Sequence, residues 1–145
     1  AIIGILAAVA IPQYQNYITR SQVNRVMSEA GQLKTPIEDC ILNGRTTIGV
    51  GPGQCDHGVT GSNLMEGNTL ADGSAPANGT GVPAITMPAD ADADTTIVAD
   101  FGNNAAVAID GESLTWTRDP DGTWTCDTTV DDQFKPNGCG GVAAP

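Results

Sequence analysis

The sequence predicts an α+β fold in which one long N-terminal helix packs on an antiparallel meander of short strands. Three observations carry that expectation. Apolar residues recur at three- and four-residue steps between Ile18 and Ile41, β-branched and aromatic runs in the second half alternate with threonine, and Gly and Pro supply 18 and 9 of the 145 residues. A chain of this length makes one domain around one core, and with 4% aromatic residues that core is modest.

The chain opens with Ala1, Ile2, Ile3, Gly4, Ile5, Leu6, Ala7, Ala8, Val9, Ala10 and Ile11, none of them charged or polar, and Pro12 closes the run. As helix this run is about 16 Å long, about half of a ~30 Å hydrocarbon core, so alone it cannot span a bilayer. It has no initiator Met, basic leader or helix cap before it, so it reads as beginning in mid-helix, and further apolar residues are expected upstream. Beyond Pro12, Ile18, Met27, Ala30, Leu33, Ile37 and Ile41 form an apolar stripe, while Arg20, Gln22, Asn24, Arg25 and Lys34 fall on other faces. One helix is therefore expected over residues 1–43, bent near Pro12 and Pro36, each of which removes a backbone donor, and stopped at Asn43-Gly44.

Residues 44–82 are dense in Gly, Asn, Thr and Ser, with turn signals at Gly51-Pro52-Gly53 and Asp72-Gly73, and predict a long connecting loop. Strand patterns follow over residues 83–127: Ala84–Met87, Thr95–Phe101, Ala105–Ile109, Ser113–Thr117 and Thr123–Cys126, broken by Asn103-Asn104, Asp110-Gly111 and Asp121-Gly122. Leu114, Trp116, Trp124 and Cys126 alternate with threonines, which gives the sheet an apolar face to set against the helix. Residues 126–145 form a closing loop and tail.

Cys40, Cys55, Cys126 and Cys139 are even in number and lie far apart, with no C-x-x-C and a single histidine, His57, so disulfides in an oxidising compartment are favoured over zinc. Four cysteines allow three pairings. A Cys40–Cys55 bridge would tie the long loop to the end of the helix.

The formal charge of −11 is uneven: residues 1–45 carry four bases and three acids, and the remainder carries 14 acids against Arg118 and Lys135. Such a surface repels nucleic acid and anionic lipid and favours solubility. No phosphate-binding loop with its Lys-Ser/Thr is present, so direct nucleotide binding is not expected, and no cofactor is implied. Asp90, Asp92 and Asp94 alternate like the start of a calcium loop. Thr95 and Phe101, however, stand where that loop needs Gly and Glu, and a solvated turn is expected. Asp131-Asp132 has the same reading. Asn78-Gly79-Thr80 is a formal glycosylation sequon with little weight, and His57 has no recognisable nucleophile arrangement around it, so no catalytic site emerges.

The run from Ala1 through Gln13-Tyr14-Gln15-Asn16-Tyr17 resembles the N-terminal helix of type IVa pilins. Thr115-Trp116-Thr117-Arg118, Gly122-Thr123-Trp124-Thr125-Cys126 and Gln133-Phe134-Lys135-Pro136-Asn137-Gly138-Cys139 resemble the last strands and disulfide loop of Pseudomonas-type pilins, whereas Arg45–Asp110 carries little of the resemblance. The resemblance implies a ladle: a protruding helix whose second half packs on a four-stranded antiparallel sheet, with a C-terminal loop closed by Cys126–Cys139. It also implies a methylated Phe and a glutamate upstream of Ala1. The pair Cys40 and Cys55, Pro36, and a tail without the terminal serine that some relatives glycosylate depart from the commonest pattern.

By the same resemblance the chain is a non-enzymatic structural subunit that polymerises with itself through Ala1–Pro12 into a helical homopolymer. It would rest in the bacterial inner membrane before assembly, require an assembly machinery that supplies any ATP, and end in a surface filament serving adhesion to host or abiotic surfaces, twitching motility or DNA uptake. An apolar half-helix is satisfied either in a bilayer or in a bundle of identical helices, and Gly4 and Pro12 predict local unwinding between them in the filament. The loop Asp127, Thr128, Thr129, Val130, Asp131, Asp132, Gln133, Phe134, Lys135, Pro136, Asn137 and Gly138 is implied to contact receptors or surfaces. As a clamp alone it would already stabilise by ~3 kcal/mol. The alternatives are a type II secretion pseudopilin or minor pilin, a soluble lectin-like module, and a hydrolase.

Overall fold

Pro36 decides where the N-terminal helix breaks. Its ring nitrogen cannot donate to the Gln32 carbonyl four residues back, and the ring crowds that carbonyl. In the computed structural model, which describes residues 2–140 and side chains from Tyr14 to Gly140, the helix accordingly divides into α1 (Ile2–Gly31) and α2 (Lys34–Leu42). Between them the Leu33 amide tightens onto the Ala30 carbonyl at 3.1 Å, and the Ile37 amide reaches the Leu33 carbonyl at 3.0 Å to restart the ladder. The helix expected over residues 1–43 thus runs in two stretches, with the bend expected near Pro36 lying between them. The Ala1–Pro12 assembly residues were a matter of side chains, and those lie outside the described residues; the backbone from Ile2 through Pro12 is helical within α1.

The buried stripe of the two helices runs Thr19, Val23, Val26, Ala30, Leu33, Ile37 and Cys40, in steps of three and four. Val23 and Val26 belong to it, whereas Ile18 is exposed, so the stripe is rotated from the expected one near its upstream end. α2 stops as its sequence requires. The Arg45 amide donates to the Cys40 carbonyl at 2.8 Å and the Gly44 amide to that of Ile41 at 3.1 Å, a Schellman closure that needs the left-handed Gly44 (φ 72°).

Four strands, β1 (Ala84–Thr86), β2 (Thr95–Asp100), β3 (Ser113–Arg118) and β4 (Trp124–Thr128), form one antiparallel sheet in sequential order. Ile85, Ile97, Trp116 and Cys126 stand in one cross-strand row, flanked by the row Ala99, Leu114 and Thr128. Period-two alternation puts these rows on the helix-facing side. Ala105–Ile109 is not a strand but a turn. Asn103 (φ 53°) and Gly111 (φ 82°) bound it in left-handed conformations, and the Ile109 and Asp110 amides both donate to the Ala106 carbonyl at 3.0 Å. Local bonding between two turn signals outweighs the β-branched pattern; Ile109 is fully buried, and Ala105 and Ala106 pack half-buried against the core.

Trp116 joins sheet to helix. Its indole N–H donates to the Met27 carbonyl at 3.1 Å, and the ring lies over Gly31, where a Cβ would stand 3.4 Å from that nitrogen, in ordinary van der Waals contact. Lys34 places its ammonium 3.7 Å from the ring centroid, and Arg118 of β3 pairs with Glu38 of α2. Residues 44–82 contain no helix or longer strand, yet they bury Cys55, Leu64, Met65 and Val82. Their backbone is satisfied by paired bonds between Ser62 and Gly81 (2.8 and 3.0 Å), and by Glu66 to Asp100 and Gly102 to Leu64 at the end of β2. Gly81 is required at its crossing, since a Cβ would come within 2.4 Å of the Glu66 backbone.

Replacing Gly44 with alanine forces a Cβ into the left-handed region and is expected to lower unfolding free energy by about 1–2 kcal/mol with the fold kept. Urea unfolding of both proteins checks this, and an unchanged midpoint would contradict the closure described.

Candidate functional site

Three surfaces contain the candidate residues: the C-terminal loop, the long loop over α1, and the exposed face of α1. In the first, Cys126 at β4 bonds Cys139 with the Cα atoms 4.4 Å apart. The enclosed segment is half core and half surface. Val130 and Phe134 are each 2% exposed, and Thr128 and Pro136 are buried as well, whereas Asp127, Thr129, Asp131, Asp132, Gln133, Asn137 and Gly138 face solvent. The 3-10 turn Asp132–Phe134 turns Phe134 inward. The loop is held down by Arg20 of α1, whose Nε donates to the Gln133 carbonyl at 3.1 Å, and by the Thr128 hydroxyl, which donates to the Ser113 carbonyl at 2.8 Å. Lys135 pairs with Asp132 at 3.3 Å. Solvent therefore reaches the carboxylates and amides of this loop but not Val130, Phe134 or Pro136.

In the second surface, Cys40 of α2 bonds Cys55, with Cα atoms 5.6 Å apart and both residues inside the core cluster. Glu29 of α1 accepts from the Ser62 hydroxyl at 3.0 Å, and Arg25 donates to the Asn63 side chain at 2.9 Å while pairing with Glu29 at 3.3 Å. His57 is buried against a cavity of about 230 Å³ whose walls include Glu29, Leu33, Pro36, Met65 and Pro83. Burial pushes its pKa below 6.5, partly opposed by the neighbouring Asp56 carboxylate. Its Nδ1 accepts a long bond from the Val59 amide at 3.4 Å. Its burial was not legible, because the partners come from segments far apart in sequence. No nucleophile is hydrogen-bonded to it, and among the described residues no three His, Cys, Asp or Glu side chains stand close enough to hold a metal ion. Asp90, Asp92 and Asp94 lie in an exposed turn, where the Asp90 carboxylate accepts from the Asp92 amide at 3.0 Å. Asn78 is exposed in a turn as well.

On the third surface Tyr14 and Tyr17 are each 66% exposed on α1, directly after the apolar opening. No described helix is long and apolar enough to cross a membrane.

A long helix on a four-stranded meander with a disulfide-closed C-terminal loop is the architecture of the described residues. The profile of a family described as pilin, a bacterial filament protein, matches residues 19–140. The chain belongs to the pilin family. This pilin is 55% identical over 141 residues to a type IV major fimbrial protein FimA of Dichelobacter nodosus, covering 96% of this chain and 87% of that one. It is 38% identical over 141 residues to a fimbrial protein of Pseudomonas aeruginosa, covering 94% and 84%. Among solved structures, the crystal structure of a Cs1 pilin chimera superposes with a TM-score of 0.58 at 26% identity, covering 86% of this pilin and 98% of the chimera.

Replacing both Cys126 and Cys139 with serine is expected to cost about 3 kcal/mol by releasing the short loop, and to expose Phe134 to proteolysis. Denaturant unfolding and limited proteolysis read the two effects; unchanged resistance would contradict the anchoring role. For His57 the unfolded state binds the proton more tightly, so its contribution to stability is full above pH 6.5 and is lost as pH falls through the lower folded-state pKa. His57→Gln should flatten this part of the stability profile below pH 6.5, measured by thermal unfolding across pH, and an unaltered slope would refute the assignment.

Proposed function

We propose that this pilin is the structural, non-enzymatic subunit of a type IV pilus, polymerising with copies of itself through the helix that opens at Ala1–Pro12. The observation that carries the reading is 55% identity along 96% of the chain to a protein named as a major fimbrial subunit. It does not favour the pseudopilin or minor-pilin alternative. The physics supports the same reading. Eleven consecutive residues without a polar side chain need an apolar environment, which the inner membrane supplies before assembly and a bundle of identical helices supplies afterwards. Exchange between two such environments changes burial little, so an assembly machinery can drive extension and retraction without the subunit itself binding nucleotide.

The sheet and the two disulfide-tied loops then face outward from the helix bundle at the cell surface. The exposed part of the C-terminal loop, Asp127, Thr129, Asp131, Asp132, Gln133, Asn137 and Gly138, offers carboxylates and amides to a host or abiotic surface. Attachment, twitching movement and DNA uptake are the tasks a retractable filament of this kind serves.

Expression of the complete chain in a bacterium lacking its own major pilin tests the reading. Thin surface filaments whose sheared fraction yields peptides of this chain are expected, together with restored twitching. Cells without filaments, holding the protein in the envelope, would contradict it.

A further inference from the structure

Asparagine followed by glycine occurs three times in the chain, at Asn43-Gly44, Asn78-Gly79 and Asn137-Gly138. In such a pair the glycine amide nitrogen can attack the asparagine side-chain Cγ, because no Cβ on the glycine obstructs the approach. The attack expels ammonia and closes a succinimide, and water then opens the ring at one carbonyl to give aspartate or at the other to give isoaspartate. No oxidant, metal or enzyme is needed. Two conditions set the rate: the glycine amide must be free to turn onto Cγ, and the side-chain amide must be free to leave.

The three pairs meet those conditions unequally. At Asn43-Gly44 the Gly44 amide donates to the Ile41 carbonyl at 3.1 Å, and the Asn43 side-chain amide donates to the Asp39 carbonyl at 2.8 Å and to its carboxylate at 3.2 Å, so the closure of α2 holds both groups. Asn137-Gly138 is set between the buried Pro136 and Cys139, and a Cβ on Gly138 would lie 3.5 Å from the Met27 Cε, which leaves this peptide little room to rotate. Asn78 is the second residue of the turn Ala77–Thr80, closed by the Thr80 amide and hydroxyl, which donate to the Ala77 carbonyl at 3.0 and 2.6 Å. Gly79 follows at φ 77°, the left-handed third position of such a turn. Among the described residues nothing bonds to the Gly79 amide or to the Asn78 side chain, both residues are exposed, and a Cβ at Gly79 would meet no atom within 4 Å. From this contrast we infer that Asn78 is a site of spontaneous deamidation, and that the fold protects Asn43 and Asn137 from the same reaction. The product carries a carboxylate in place of a neutral amide, which takes the net charge from −11 to −12, and its isoaspartyl form lengthens the main chain of the turn by one carbon. The chemistry does not depend on polymerisation. On the filament reading it gives each exported subunit a charge that records its age.

The purified complete chain, held at mildly alkaline pH and sampled over weeks, tests this by peptide mass spectrometry that separates asparagine, aspartate and isoaspartate at the three positions. Asn78 is expected to convert first, at least about tenfold faster than Asn43, whose ring closure must break hydrogen bonds that Asn78 does not make. An acidic band should accumulate in step on isoelectric focusing, and Asn78→Gln should abolish it. In denaturant with both bridges reduced, the three pairs should react at similar rates. No conversion at Asn78 in the folded chain, or conversion at Asn43 or Asn137 as fast as at Asn78, would overturn the inference. So would an equal preference for Asn78 in the unfolded chain, since the fold would then have no part in the selection.

Discussion

The packing of Trp116 on the helix at Met27, Gly31 and Lys34 is the contact on which the rest of the domain depends. The chain has six aromatic residues, two each of Trp, Tyr and Phe, and both tyrosines are exposed, so few large side chains remain to fill the seam between helix and sheet. Trp116 is one of them, and it is the one whose polar end finds a partner on the opposite layer, the Met27 carbonyl. Its neighbours in the register, Ile97 and Cys126, are carried into the same seam by strand pairing. The Arg118–Glu38 pair and the Lys34 ammonium over the ring then join the buried Ile37 and Cys40 in holding α2 to the sheet.

Around that seam the two disulfides do a task that apolar burial cannot do in a chain so rich in Gly and Pro. Cys40–Cys55 holds the first turn of a loop whose backbone would otherwise have little reason to stay on α1, and Cys126–Cys139 holds Val130 and Phe134 at the edge of the core. Both loops thus keep buried roots and exposed tips. That division suits a filament subunit, because the tips can differ in chemistry without disturbing the packing that sets the subunit's shape.

Much of the architecture was legible before the structure. The strands β2, β3 and β4 fall where β-branched and aromatic residues alternate, and the helix ends where Asn43-Gly44 allows a left-handed closure. What was not legible depends on contacts between distant segments. Ala105–Ile109 has a strand's composition, but β2 and β3 pair directly and leave it as the turn that docks on Gln22. Val23 and Val26 rather than Ile18 lie under the sheet, a rotation of the stripe that helical spacing alone does not fix. In the C-terminal loop Val130, Phe134 and Pro136 stand apolar among polar neighbours, but it is the 3-10 turn and the bridge that carry them into the core. His57, without a partner nearby in sequence beyond Asp56, gave no sign that it would be buried between α1 and the long loop.

On the proposed assembly one helix serves two tasks: its downstream half is clamped beneath the sheet by Trp116, while its apolar start joins a bundle of copies. Electron cryomicroscopy of filaments assembled from the complete chain measures this directly. The expected filament has α1 helices bundled at its axis, each with its own sheet still seated at Met27 and Gly31 and facing outward. A filament in which the sheet has left its own helix, or in which the helices lie outside and the sheets pack at the axis, would contradict it.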